Sequence, residues 1–161
     1  VAKRIKVVRA VLDTNIFLRS LIRRGNVSHK IIELWKTGHF LVAASESIQN
    51  EVEDVLKRPW LMAKYGYSHQ EVDQLIDLIS QKAIFVEPVF SLQLCRDVND
   101  DKFVDCAVLG RVKFLVSQDN DLLADENLKK QLLEYGVEVL TALDFYQRLE
   151  QLIESEAAFL E

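Results

Sequence analysis

Cysteine is scarce: Cys95 and Cys106 stand alone, with neither CxxC spacing nor a Cys/His cluster. That pattern argues against a zinc site and leaves both as reduced core or near-surface thiols. Glycine is nearly as sparse, at positions 25, 38, 66, 110 and 136, never in P-loop or GxGxxG spacing, so no Gly-rich phosphate cradle is encoded. No Ser/His pair offers a nucleophile, and no internal repeat, low-complexity tract or linker interrupts the chain. No apolar run approaches the roughly 20 residues of a membrane helix, and the start lacks the apolar region of a signal peptide. The expectation is no membrane partner and a cytoplasmic location. What remains is 161 residues, 49% hydrophobic and 28% charged, an ordinary composition and length for one domain with a buried core.

The formal net charge of −5 hides an asymmetry. Residues 1–60 carry 11 Lys/Arg against 6 Asp/Glu, and residues 61–161 carry 9 against 19. The basic half, with Lys3, Arg4, Lys6, Arg9, Arg19, Arg23, Arg24, Lys30 and Lys36, could track a phosphate backbone or serve solubility alone. An overall acidic chain is a poor candidate for tight non-specific duplex binding.

Val7 to Leu12, broken only by Arg9, reads as a strand ending on Asp13. Arg9 is a misfit for a central strand: either the strand begins near Ala10, or Arg9 sits at its mouth with its head in solvent. Helical spacing follows over Asn15–Ile22, then again from an N-cap at Ser28 through Ile31, Ile32 and Trp35 to Gly38. Phe40–Ala44 is a short buried strand. Ser45–Lys57 is a helix closed by Pro59. Ser68-His69-Gln70-Glu71 is a capping box opening a helix towards Lys82. Ala83–Val86 is a candidate edge strand, residues 88–97 an irregular connection, Asp101–Gly110 a helix and Phe114–Val116 a buried strand. Val137–Leu140 is a late strand, and Thr141 caps a final helix through Leu149. Strands alternating with helices predict a three-layer α/β/α sandwich around a mainly parallel sheet, one domain over residues 1–149. Residues 150–161 extend the last helix or fray.

In such a sheet ligands bind just beyond the carboxyl ends of the strands. Asp13 and Asp119 follow apolar strands, and Glu51 lies in the second turn of the helix after Phe40–Ala44. Asp101 opens the helix leading into Phe114–Val116, which starts at the same edge if the crossover is the usual one. Asp105 follows on the same helix face. Converging carboxylates raise one another's pKa unless a cation neutralises them, and oxygen-only donors favour Mg²⁺ or Mn²⁺. Such ions suit phosphodiester hydrolysis. Each acid also has a structural reading. Asp13 could be a turn residue, Asn15, Asp100, Asp101 or Asp121 a helix cap, and Glu51 a solvated helix residue. No basic residue lies beside Asp13, Glu51 or Asp119 in sequence to pair with them.

Four blocks together resemble the PIN (PilT N-terminal) domain over about Arg9 to Phe145. They are Val11-Leu12-Asp13-Thr14-Asn15; Ser45 with Glu51-Val52 and Val55-Leu56; Asp100-Asp101-Lys102-Phe103 with Ala107; and Leu115-Val116-Ser117-Gln118-Asp119-Asn120-Asp121-Leu122-Leu123. The nearest look is to toxin components of prokaryotic toxin–antitoxin systems, related to the VapC-like ribonucleases. The resemblance implies Mg²⁺- or Mn²⁺-dependent cleavage of RNA, with Asp13, Glu51, Asp101 and Asp119 holding metal and activated water. It places Asn15, Asp105, Ser117 and Asp121 as secondary or outer contacts, Ser117 offering a hydroxyl that orients a carboxylate. Gln118 departs from the Gly or Arg common in relatives. The implied partners are RNA, a small antitoxin protein and, since small domains of this kind commonly pair through helices, a second copy. Trp35, Phe40, Trp60 and Tyr65 serve core or interface, and core is the better expectation.

Two other classes stay open. A non-catalytic RNA-binding or scaffold module of the same fold would bind RNA indifferently to metal. A phosphotransfer site of the haloacid-dehalogenase type wants a second Asp where Asn15 stands. The response-regulator type wants paired acids at the first strand's end and a Lys after a late strand, neither of which is evident.

Overall fold

The computed structural model describes residues 7–160; Lys3, Arg4 and Lys6 of the basic half lie outside them. Five short strands, β1 (Arg9–Leu12), β2 (Leu41–Ala44), β3 (Ile84–Phe85), β4 (Phe114–Val116) and β5 (Glu138–Leu140), form one sheet in the order β3-β2-β1-β4-β5. Every pairing is parallel, with Ala10 opposite both Val42 and Phe114. Ala10–Leu12 and Phe114–Val116 are buried on both faces of the sheet, which requires a helical layer on each side. That is the expected three-layer α/β/α sandwich. Arg9 stands exposed at the start of β1, the second of its two expected placements.

Helices α1 (Thr14–Ile22) and α2 (Val27–Lys36) connect β1 to β2. Helices α3 (Glu46–Leu56), α4 (Pro59–Tyr65) and α5 (His69–Lys82) connect β2 to β3. Helix α6 (Asp101–Leu109) leads into β4, α7 (Asn120–Leu123) and α8 (Glu126–Glu134) into β5, and α9 (Ala142–Leu160) follows β5. Phe145 on α9 packs edge-on against Phe40 and Phe114, at 5.2 and 5.6 Å between ring centroids, locking α9 over the centre of the sheet. Among the described residues no helix is long and apolar enough to cross a membrane.

Several boundaries differ from expectation. Asn26, not Ser28, caps α2: its side chain accepts from His29 N–H at 2.8 Å, while Ser28 is buried in the first turn. Pro59 does more than end α3; it stands at the first position of α4, where its missing N–H has no partner to lose. Helix α8 was not anticipated, because only Leu128 and Leu132 of its nine residues are buried. Thr141 caps α9 as expected, accepting from Asp144 N–H at 3.1 Å. Trp35 and Phe40 are core residues, but Trp60 is 60% exposed.

The chain leaves β3 at the carboxyl edge of the sheet and enters β4 at the amino edge. Helix α6 therefore starts on the same edge where β1, β2 and β4 end. It ends at Gly110, where a Cβ would lie 2.6 Å from the Cys106 carbonyl and 2.9 Å from Val86 Cγ2.

Candidate metal centre at the carboxyl edge of the sheet

Asp13 N–H donates to the Val116 carbonyl at 3.0 Å, continuing the β1–β4 ladder one residue past the strand. Asp13 occupies the N-cap of α1 without making a side-chain capping bond. Its Oδ2 instead accepts from the Ser117 hydroxyl at 2.7 Å. That hydroxyl, fully buried, also accepts from Asp119 N–H at 2.9 Å. One serine thus ties the ends of β1 and β4 together and fixes the spacing of two acids. Asp119 caps α7, accepting from Asp121 N–H at 2.9 Å.

Glu51 reaches the same place from α3. Its Oε2 accepts from the Thr14 hydroxyl and its Oε1 from Lys102 Nζ at 2.6 Å. The sequence shows no cation beside Glu51, but the fold brings one from 51 residues away. Thr14 is buried and committed to Glu51. Asn15 is exposed on the first turn of α1.

The Asp100-Asp101 pair divides. Asp101 Oδ1 accepts from Cys95 N–H at 3.1 Å, and Asp105, on the same face of α6, accepts from Leu92 N–H at 3.0 Å. Both acids tether the connection between β3 and α6. Asp100 instead faces the other acids. It is buried, and its Oδ2 has no hydrogen-bond partner among the described residues. Asp97, Asp100 and Asp121 each offer a carboxylate oxygen, all within 4.8 Å of one another. In the sequence Asp100 reads as a cap and Asp97 carries no assignment, because the acid-rich run Asp97 to Asp101 has no periodicity to say which side chain faces inward.

Electrostatics records the crowding. Burial lifts the Asp13 carboxyl above its ordinary range; the Ser117 hydroxyl opposes the shift, and the charges of Asp119 and Glu51 add to it. Burial, then the charges of Asp119, Asp97, Asp13 and Asp121, pushes Asp100 up to about 7. Oxygen donors of one sign, gathered round a buried oxygen that no group among the described residues satisfies, fit a hard divalent cation. Neither cysteine is among the clustered donors, and burial raises both thiols, Cys106 to about 12.

A family model described as PIN domain matches residues 9–121. The chain is also 26% identical over 148 residues to the uncharacterized protein MJ1680 of Methanocaldococcus jannaschii, an alignment covering 91% of this chain and 94% of that protein. The matched span holds Asp13, Glu51, Asp100, Asp101, Ser117, Asp119 and Asp121.

Proposed function

Because the chain belongs to the PIN domain family, whose members are generally metal-dependent nucleases, we propose that it is a divalent-metal-dependent endoribonuclease. The observation that carries this is the buried, unpartnered Asp100 Oδ2 set among like charges. When bound, Mg²⁺ or Mn²⁺ would supply Lewis acidity towards the attacking water and the leaving oxygen. Asp13, Asp100 and Asp119 would hold the ion, with Asp97 and Asp121 closing one side. Ser117 keeps Asp13 and Asp119 in register through its two hydrogen bonds. Glu51, held by Thr14 and Lys102, sets the crevice wall, and the Lys102 ammonium would offer a positive charge to an entering phosphodiester. Asp101 and Asp105 act through the loop they tether rather than on the ion.

The test is hydrolysis of a single-stranded RNA by the purified protein. Cleavage is expected with Mg²⁺ or Mn²⁺, abolished by chelator, and reduced by about a hundredfold or more in Asp13→Asn, as for loss of a principal charge-stabilising group. Cleavage that persists at wild-type rate in Asp13→Asn overturns the proposal. The resemblance to toxin components extends it to a cytoplasmic toxin neutralised by a small antitoxin protein; inhibition by the product of an adjacent gene checks that extension.

A second reading has one observation in its favour: both Glu51 oxygens are already engaged, by Lys102 and Thr14. A non-catalytic RNA-binding module would keep that closed arrangement. It would bind RNA equally with and without divalent ion and cleave none.

A further inference from the structure

A cleft of about 450 Å³ opens along α1, the helix whose N-cap is Asp13. Its walls include Asn15, Leu18, Arg19 and Ile22 from α1, Arg23 just past its end, and Tyr65 from the end of α4. Asn15, two residues beyond Asp13, is the wall nearest the acids along the chain, and the cleft extends from it along α1. Arg19 and Arg23 are exposed, and among the described residues neither has a carboxylate within ion-pair distance. Lys64 Nζ lies 5.2 Å from the Tyr65 ring centre, adding positive charge beside the aromatic wall. Leu18 and Ile22 supply an apolar floor.

These are the parts of a nucleotide subsite. Two guanidiniums one helical turn apart can meet a phosphate, and Leu18, Ile22 and the Tyr65 ring offer apolar surface to a base. A larger cavity, about 800 Å³ and lined by residues of α1, α2 and α5, lacks this character. There Lys36 pairs with Glu33, Lys82 donates to the Lys36 carbonyl, and Glu71 and Asp77 add negative charge. A polyanion is therefore drawn to the smaller cleft.

We propose that the α1–Tyr65 cleft holds one unpaired nucleotide of a single-stranded polynucleotide, its base against Tyr65 and its phosphate on Arg19 and Arg23, next to the phosphodiester presented to the acids. The proposal rests on the nuclease reading for the direction of the strand, but its test does not need cleavage. A stacked, unpaired base makes the site selective for single strands, since a duplex keeps its bases within its own stack.

The experiment is fluorescence anisotropy of the full chain with a labelled single-stranded RNA oligonucleotide in excess chelator, where no hydrolysis occurs. Tyr65→Ala is expected to weaken binding on the order of tenfold, while Tyr65→Phe, which keeps the ring, stays within about twofold of wild type. Arg19→Gln and Arg23→Gln should each weaken binding and flatten the logarithmic salt dependence by about 0.7, one phosphate contact on a single strand. Wild-type affinity in Tyr65→Ala together with both arginine variants overturns the proposal, as does equal binding of a duplex of the same sequence. If Tyr65→Ala fails to fold, the two arginine variants decide, since their side chains are exposed. Loss of affinity in the variants without metal-dependent cleavage by wild type removes the nuclease reading and leaves the subsite. Cleavage with unchanged affinity does the reverse.

Discussion

Asp100 and Asp101 carry the same side chain one residue apart and meet opposite surroundings. Asp100 ends a short 3-10 turn, Val98–Asp100, and Asp101 begins α6. Successive helical side chains diverge by about 100°, so one carboxylate faces the acids and the other the Cys95 amide. Asp100→Asn removes a charge that burial and four neighbouring acids oppose, and it also removes a donor of the centre. The expected outcome is divalent-ion affinity, read by Mn²⁺ calorimetry, lower by about a hundredfold, the upper end of what changing groups around a metal typically costs. Asp101→Asn keeps an oxygen for Cys95 N–H and should change Mn²⁺ affinity by about tenfold at most. The opposite ranking would move the centre to Asp101, where the crossover topology and the family resemblance both point.

At the scale of elements, the connection from β3 to α6 is held by acids beside the half-buried Val86, Leu94 and Cys95. Val89 is 87% and Phe90 58% exposed, so neither anchors it, whereas Asp105 and Asp101 accept the Leu92 and Cys95 amides. Asp105→Ala leaves the Leu92 amide unpaired, at a cost of about 1–3 kcal/mol. Hydrogen exchange at Leu92 is expected to accelerate while the amides of β1 and β4 keep their protection; an unchanged Leu92 rate would mean that the carboxylate does not hold the loop. The i,i+4 spacing of Asp101 and Asp105 was readable in the sequence as one helix face, but not that this face meets a loop. The strands were legible for a related reason: Val11-Leu12 and Phe114–Val116 are apolar on both faces, and each hands the chain to an Asp or Ser at the same sheet edge. Amphipathic helices were legible where three or more apolar residues recur, as in α3 and α5. Helix α8 buries two leucines and α4 starts on a proline that reads equally well as a stop, so both were missed. The contacts of Glu51 with Thr14 and Lys102 cross 37 and 51 residues, and no local pattern announces them.

For the molecule as a whole, gathering acids at one edge of the sheet makes stability depend on pH and on cations together. Asp13 and Asp100 both have carboxyl pKa values raised above the ordinary 3.8, Asp100 to about 7. A group that binds its proton more tightly folded than unfolded favours the folded state at low pH, and that advantage is lost as pH rises through the folded pKa. The metal-free protein should therefore melt at progressively lower temperature from about pH 5 to pH 8, the window above the unfolded value that Asp100 spans. A divalent cation bound only by the folded chain acts oppositely. At a hundred times its dissociation constant it contributes about 2.7 kcal/mol, a rise of roughly 5–10 °C for a chain of this size. Protons compete for the same oxygens, so at a fixed Mn²⁺ concentration the rise should be larger at pH 8 than at pH 5. Asp100→Asn, lacking the titrating group, should melt with a flatter pH dependence in chelator and respond less to Mn²⁺. Differential scanning calorimetry at pH 5, 6.5 and 8, with chelator and with Mn²⁺, separates these terms. A melting temperature indifferent to pH in chelator and unmoved by Mn²⁺ would mean that the acids relieve their repulsion through solvent, leaving the crevice nothing for a cation to neutralise.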